Sequence, residues 1–508
     1  MTQAADTAHE AAGGTASGRV PGVAPRWKIV LLQLVVLYLL ALRLWFDIAV
    51  TPMGDEAYYW MWGQHLSWSY FDHPPLNGWL QGAVASVFGW SNFSVRLTTW
   101  LSLAGTAWVF WLWSALLAPD DREGWFWHTL VIALTIPTVA VMSGIAFHDH
   151  LLICFVLASL YAFHRFVVGW EAGRPAWRWL YLSTALLGLA TLTKYNGVFL
   201  GLGYALWVIA RPSLRRLLLT PHLWLAALLA VAMQAPVLYW NLGADMASLR
   251  FHLADRPSAN WTQPRLGQVT TFLSVVPLAL SPILAIAAFR LLWLKPRSAA
   301  EGSAFGVART VYFSSLVAWT ILSAYVLVYF HWNIVGYVAL APVAYRLIGG
   351  RVFFALHVAL GLFVATFLSL TYIVTPLRIG NIAEPGAPAN YGWDVVAARV
   401  EALQAEHPGS FLGASRYTYA AQLGFALHDT EVAAFNPVRS QNDYWWDASA
   451  HAGQDALIVT DKAFPVDEAK KHFAGIKRLE RVPVTDRLGN TVWRFEIWLG
   501  RDFQPAAP

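Results

Sequence analysis

A helix crosses the hydrocarbon core of a bilayer with roughly 20 apolar residues, and runs of that kind recur along this chain. They lie at 27–48, 95–118, 125–143, 150–168, 179–193, 196–210, 222–240, 268–292, 311–330, 333–349 and 352–374. Several are apolar on every side, as suits helices buried among other helices or lipid. The pair 179–193 and 196–210 is short and closely joined. The segment 76–92, opening "LNGWLQGAVASVFGW", is amphipathic and suits the membrane surface better than its interior. Only 13% of the residues are charged, against about 25% in soluble domains. The expected class is therefore an α-helical polytopic membrane protein with about eleven spans and additional juxtamembrane helices.

Lysine and arginine orient the spans. One set of loops and helix ends carries 15 of them, from Arg26 and Lys28 through Arg211, Arg215 and Arg216 to Arg346 and Arg351. The alternate set carries six: Arg43, Arg96, Lys194, Arg250, Arg256 and Arg265. The first set is read as cytoplasmic, which sends the C-terminus to the other side. A net charge of +5 without a basic stripe is explained by this topology and implies no nucleic-acid partner. Residues 1–25 are small and polar and read as a disordered cytoplasmic tail; residues 26–374 form the membrane domain. From 375 to 508 the pattern changes. "GWDVVAARVEALQAEH" has helical spacing, while "DALIVTD" and "TVWRFEIWLG" read as strands, which predicts a small extracytoplasmic α/β domain. The single cysteine, Cys154, excludes an internal disulfide framework and a cysteine metal site.

The polar clusters are one-sided. "GDEAYYW" and "YFDHPP" fall in the first non-cytoplasmic loop, "GIAFHDHLL" in the second and "LTKYNG" in the third. "YWNLGADMASLRFHLADRPSANW" opens the fourth, and "FHWN" makes the fifth. Plain connectors would spread such residues over both faces; their concentration on one face points to a single site.

The order of these motifs resembles the GT-C membrane glycosyltransferases, and among them the family-39 branch of protein-mannosyltransferase and aminoarabinose-transferase-like enzymes. The resemblance spans nearly the whole chain, with "GWDVVAARV" and "SQNDYWW" in the last part. It implies a helical bundle over an outward-facing cavity, a polyprenyl-phosphate sugar donor, and a lipid, glycan or protein acceptor, with membrane lipids around it. It also implies a catalytic acid in the first loop, a second acid at Asp149, and basic residues for the carrier phosphate.

Chemistry assigns the candidates. A carboxylate can deprotonate or orient the acceptor nucleophile; Asp55 is the first choice, with Asp149 and Glu56 beside it. The alternative for Asp55 is a helix cap, and Glu56 could simply solvate the loop. Lys194, at the end of an apolar helix, needs an anionic partner, and a donor phosphate or lipid headgroups would serve. Arg250, Arg256 and Arg265 offer guanidinium forks to phosphate, and His73, fixed by Pro74 and Pro75, could contact it too. Tyr58, Tyr59, Asp72, His331 and Trp332 are candidates for holding substrate, although such rings also serve as interfacial anchors. The sequence specifies no cofactor; a divalent metal is a candidate, with His148 and His150 as ligands by type but without the i, i+4 spacing.

A transporter or flippase of a lipid-linked sugar would also place ionisable residues among helices. It would show inverted repeats or helices broken at mid-depth, and the sequence displays neither. A phosphoethanolamine-type transferase would need a larger outer domain than residues 375–508 supply.

Overall fold

The computed structural model describes residues 24–254 and 260–505; most of the expected tail, and Arg256, lie outside them. The chain begins with α1 (Arg26–Ala49), α2 (Gly54–Gln64), α3 (Leu76–Phe88), α4 (Asn92–Leu117), α5 (Arg122–Leu134) and α6 (Pro137–Met142). Then come α7 (Asp149–Glu171), α8 (Trp177–Thr193), α9 (Val198–Ala210), α10 (Pro221–Ala232), α11 (Ala235–Gly243) and α12 (Ala247–Leu253). The bundle closes with α13 (Leu266–Leu280), α14 (Pro282–Ala288), α15 (Ala299–Ser323), α16 (Ile334–Leu340), α17 (Ala344–Ile348) and α18 (Arg351–Ile373).

Helix occupies all eleven expected segments, but not always as one straight span. Among the described residues, five helices are long and apolar enough to cross a membrane, or seven if each of two bent pairs is one span. Three departures have local causes. Segment 125–143 divides at Pro137, whose ring cannot continue the ladder. The span expected at 311–330 starts earlier, at Ala299, where the Ser298 hydroxyl accepts the Glu301 N–H at 3.1 Å and caps the helix. Segment 268–292 is bent by 104° between α13 and its continuation. There Ser281 has φ 75°, and its hydroxyl accepts from the Leu284 N–H at 3.3 Å and lies 2.6 Å from His357 Nδ1. The expectation of unbroken spans is therefore corrected at this point: Pro282 starts a new helix and a serine in the left-handed region makes the corner.

α7 is the central helix, with apolar residues buried around its circumference, whereas α1 and α18 keep broad exposed apolar faces. α2 and α3 cross closely through Gly63 and Gly82; a Cβ on Gly63 would stand 2.4 Å from the Gly82 nitrogen.

After a two-stranded hairpin, β1 (Arg378–Ile379) and β2 (Ile382–Ala383), the C-terminal part folds as α19 (Trp393–Glu406), β3 (Phe411–Ala414), α20 (Tyr417–Leu427) and β4 (Ala433–Ala434). It ends with β5 (Ala456–Asp461), β6 (Phe473–Thr485) and β7 (Thr491–Phe503). The sheet order is β4-β3-β5-β7-β6, parallel across β4, β3 and β5 and antiparallel across β7 and β6. The fully buried β5 is its centre. The expected helix and two strands are α19, β5 and β7. The edge strand β6 carries Lys477, Arg478, Glu480 and Arg481, so it lacks the hydrophobic signal of a buried strand.

Candidate active site

α2 begins directly after α1 and carries the two adjacent acids. Glu56 is fully buried, and both its oxygens are occupied. Oε1 accepts from Arg96 Nε at 2.9 Å and from the Ala146 N–H at 2.8 Å. Oε2 accepts from a second Arg96 nitrogen and from the Met53 N–H at 3.0 Å. Glu56, at the third helical position, is thus the group that satisfies the helix start. Asp55 does not cap: among the described residues no hydrogen bond reaches its carboxylate. It keeps some accessible surface in an otherwise desolvated crevice, and burial raises its pKa above the ordinary carboxylate value. Arg416 first, then Lys194, oppose that rise, while Glu56 adds to it.

Asp149 opens α7 and Lys194 ends α8, and the antiparallel packing of these helices brings the two together. Lys194 Nζ donates to both Asp149 oxygens, at 2.9 and 2.8 Å, in a buried pair. The anionic partner that Lys194 needs is therefore supplied within the chain, by Asp149, 45 residues earlier. The same contact occupies Asp149, which the sequence offers as a second free acid.

Beside these acids, the Tyr58 hydroxyl donates to Asp72 Oδ2 at 2.5 Å and accepts from the Gln441 N–H at 2.6 Å. Gln441 Oε1 in turn accepts from the Phe71 N–H at 2.6 Å. His252 Nε2 donates to the Asp72 carbonyl at 2.7 Å. The Tyr59 ring stands edge-on to His148 at 4.2 Å, and His148 lies 4.4 Å from His73. His148 Nε2 is buried with no partner among the described residues; burial and Lys194 hold this imidazole neutral, with its pKa well below the usual value. His331 is likewise neutral, lowered to about 4 by burial and then Lys194.

The remaining candidates separate. Trp332 packs on Trp319 and Tyr329 at 5.3 and 5.6 Å, and its carbonyl accepts from Asn196. Arg250 pairs with Asp245 at 2.8 Å, both exposed, and Arg265 is exposed. His150 faces α4, 2.9 Å from Ser102 Oγ, away from His148's cluster. Among the described residues no three His, Cys, Asp or Glu side chains form a metal-holding group, so the His148 and His150 metal reading finds no supporting geometry. Sequence reasoning gave no role to His252, to Tyr195, whose ring lies 5.0 Å from that of His252, or to Arg416, Tyr417 and Gln441. His252, Tyr195 and Gln441 lie within quoted motifs; Arg416 and Tyr417, in "GASRYTY", carry no local signal.

Residues 72–240 match the sequence profile of a family described as dolichyl-phosphate-mannose-protein mannosyltransferase. Among solved structures, the chain superposes on ArnT from Cupriavidus metallidurans bound to undecaprenyl phosphate with a TM-score of 0.61 and 15% identity. That match covers 94% of this chain and 98% of the other. The chain has the GT-C fold. The apo state of the same ArnT gives a TM-score of 0.59 at 15% identity over 93% and 98% of the two chains. A fainter likeness, to the Archaeoglobus fulgidus oligosaccharyltransferase in the apo form, has a TM-score of 0.46 and 12% identity over 86% and 69%. No curated protein matches the sequence significantly. The matched family is thus described as a mannosyltransferase, and the Archaeoglobus protein as an oligosaccharyltransferase.

Proposed function

We propose that this GT-C protein is an integral-membrane glycosyltransferase. It moves a sugar from a polyprenyl-phosphate donor to a lipid, glycan or protein acceptor at the extracytoplasmic face of the cytoplasmic membrane. The observation that carries the reading is the state of Asp55. It is the acid left without a hydrogen-bond partner among the described residues, while neighbouring Glu56, Asp149 and Asp72 are each held by the chain. As general base, Asp55 takes the acceptor hydroxyl proton while that oxygen bonds the anomeric carbon. The carbon's bond to the phosphate oxygen breaks, and the carrier phosphate leaves with the electron pair.

The other residues divide the work. Lys194 spends two N–H groups on Asp149, so Asp149 positions the ammonium and a remaining N–H is available to the donor phosphate. His73, beside the His148 imidazole, and the fourth-loop arginines Arg250, Arg256 and Arg265 are further phosphate candidates. Tyr58, Tyr59, Asp72 and His331 frame the substrate, and Glu56 acts through the scaffold. An apolar cavity of about 720 Å³ between α1, α6, α13 and α18 supports a substrate with a hydrocarbon chain. It reaches Met53 and Phe147, next to α2. The excess of cationic residues on one set of loops supports a cytoplasmic N-terminus and an extracytoplasmic C-terminal domain, residues 375–508, joined to the membrane domain at 26–374.

The test is Asp55→Asn in reconstituted enzyme, following a labelled sugar from its polyprenyl phosphate. Asn is nearly isosteric, so insertion and donor binding should persist while transfer falls by about 10²–10⁴, the usual contribution of a positioned base. A variant that keeps most of its turnover would remove Asp55 from the role.

A further inference from the structure

The C-terminal domain does not merely cover the α2 end of the bundle; it is keyed into it. Gly54, the first residue of α2, packs on Thr418, and a Cβ at Gly54 would stand 2.8 Å from the Thr418 Cβ. The Tyr417 ring lies 4.5 Å from Tyr58, and Gln422 Nε2 donates to the Pro52 carbonyl at 3.1 Å. These contacts set the start of α20 against the start of α2, and the residue before α20 is Arg416.

Arg416 is held by stacking. Its guanidinium lies 4.1 Å over Phe464 and 5.6 Å over Tyr417. Phe464 is itself fixed, since its N–H donates to Asp461 Oδ1 at 2.7 Å and its carbonyl accepts from the Ser415 hydroxyl at 2.6 Å. Among the described residues no carboxylate forms an ion pair with Arg416. A fixed guanidinium without an ion-pair partner thus accompanies an aspartate without a hydrogen-bond partner.

We propose that Arg416 is a positioning residue for the transfer reaction, delivered by the C-terminal domain to keep the Asp55 carboxylate ionised. This rests on the reading of Asp55 as base. The charged and titratable groups acting on Asp55 are Glu56 and Tyr59 of its own helix, Arg416 and Tyr417 at the start of α20, and Lys194 at the end of α8. α3 carries no titratable residue, and Arg96 of α4 is spent on Glu56. Of the two cations acting on Asp55, Arg416 outweighs Lys194, and Lys194 is already paired.

The experiment compares Arg416→Gln and Arg416→Lys with the wild-type full-length enzyme in proteoliposomes, measuring kcat/KM for transfer against pH. Thermal unfolding serves as the folding control. Loss of the neighbouring charge should move the acid limb of the Gln profile up by about 1 pH unit, the low end for an opposite charge near a carboxylate. The Lys variant should return the limb close to wild type. A Gln profile that superimposes on wild type, or that falls equally at every pH, overturns the proposal. Asp55→Asn runs alongside. If it is inactive and the Gln limb is unmoved, only this proposal fails; if Asp55→Asn keeps its turnover, the base reading fails and this proposal fails with it.

Discussion

Asp55 and Glu56 are adjacent in sequence, and about 100° of helical rotation separates their side chains. That rotation turns Glu56 into the bundle, onto Arg96, and leaves Asp55 at the crevice. Removing Glu56 takes its bidentate partner from a fully buried guanidinium and leaves it Asp47 at 3.9 Å. Glu56→Gln is therefore expected to destabilise the protein by about 3–5 kcal/mol, the cost of breaking a buried pair. Thermal unfolding in detergent measures this, and an unchanged melting temperature would refute the scaffold role. Lys194→Ala should cost a similar amount by leaving Asp149 buried and unpaired. Adding Asp149→Asn should restore part of the stability but none of the roughly tenfold loss in donor affinity expected from a missing charge-assisted contact. Recovery of both in the double variant would show that Lys194 serves Asp149 alone. Asp55 also predicts a pH dependence. Burial raises its pKa, and the base works only when ionised, so activity falls as pH drops through a value above the ordinary carboxylate pKa of ~3.9. A rate that is flat down to that ordinary value would contradict it.

At the scale of elements, the contact of α2 with α20 joins the membrane bundle to the C-terminal sheet. Gly54 is needed there because Thr418 occupies the space of a Cβ. Gly54→Ala would favour the helix by propensity, yet it should cost about 1–3 kcal/mol by overpacking and loosen the docked domain. Limited proteolysis between α18 and α19 would report that loosening; equal cleavage rates for variant and wild type would show that the contact is slack. The corner at Ser281 teaches the converse lesson. Hydropathy over 268–292 is continuous, so the sequence reads as one span. The turn depends on a left-handed serine held beside His357, 76 residues away. Pro277 and Pro282 hint at a kink without giving its size.

For the whole molecule, orientation is the testable property. A fusion after Pro508 to a reporter active only in the cytoplasm should be silent, because the proposed topology puts the cationic loops in the cytoplasm and the C-terminal domain outside it. An active fusion would reverse both the topology and the side on which transfer occurs. The sequence by itself determined the class of molecule: apolar length set the helices, cationic bias set the expected sides, and one-sided polar motifs marked the end where α2, α7 and α8 meet. It also identified α19, β5 and β7, because a one-sided buried face imposes a period on a helix or strand and burial on both faces gives β5 a continuous apolar run. Which acid is bound and which is open was decided only by tertiary structure. Glu56 meets Arg96 across 40 residues, Lys194 meets Asp149 across 45, and Tyr58 meets Gln441 across 383. Partners so distant leave no periodic trace in the chain; the packing of helices and the docked domain brings them together.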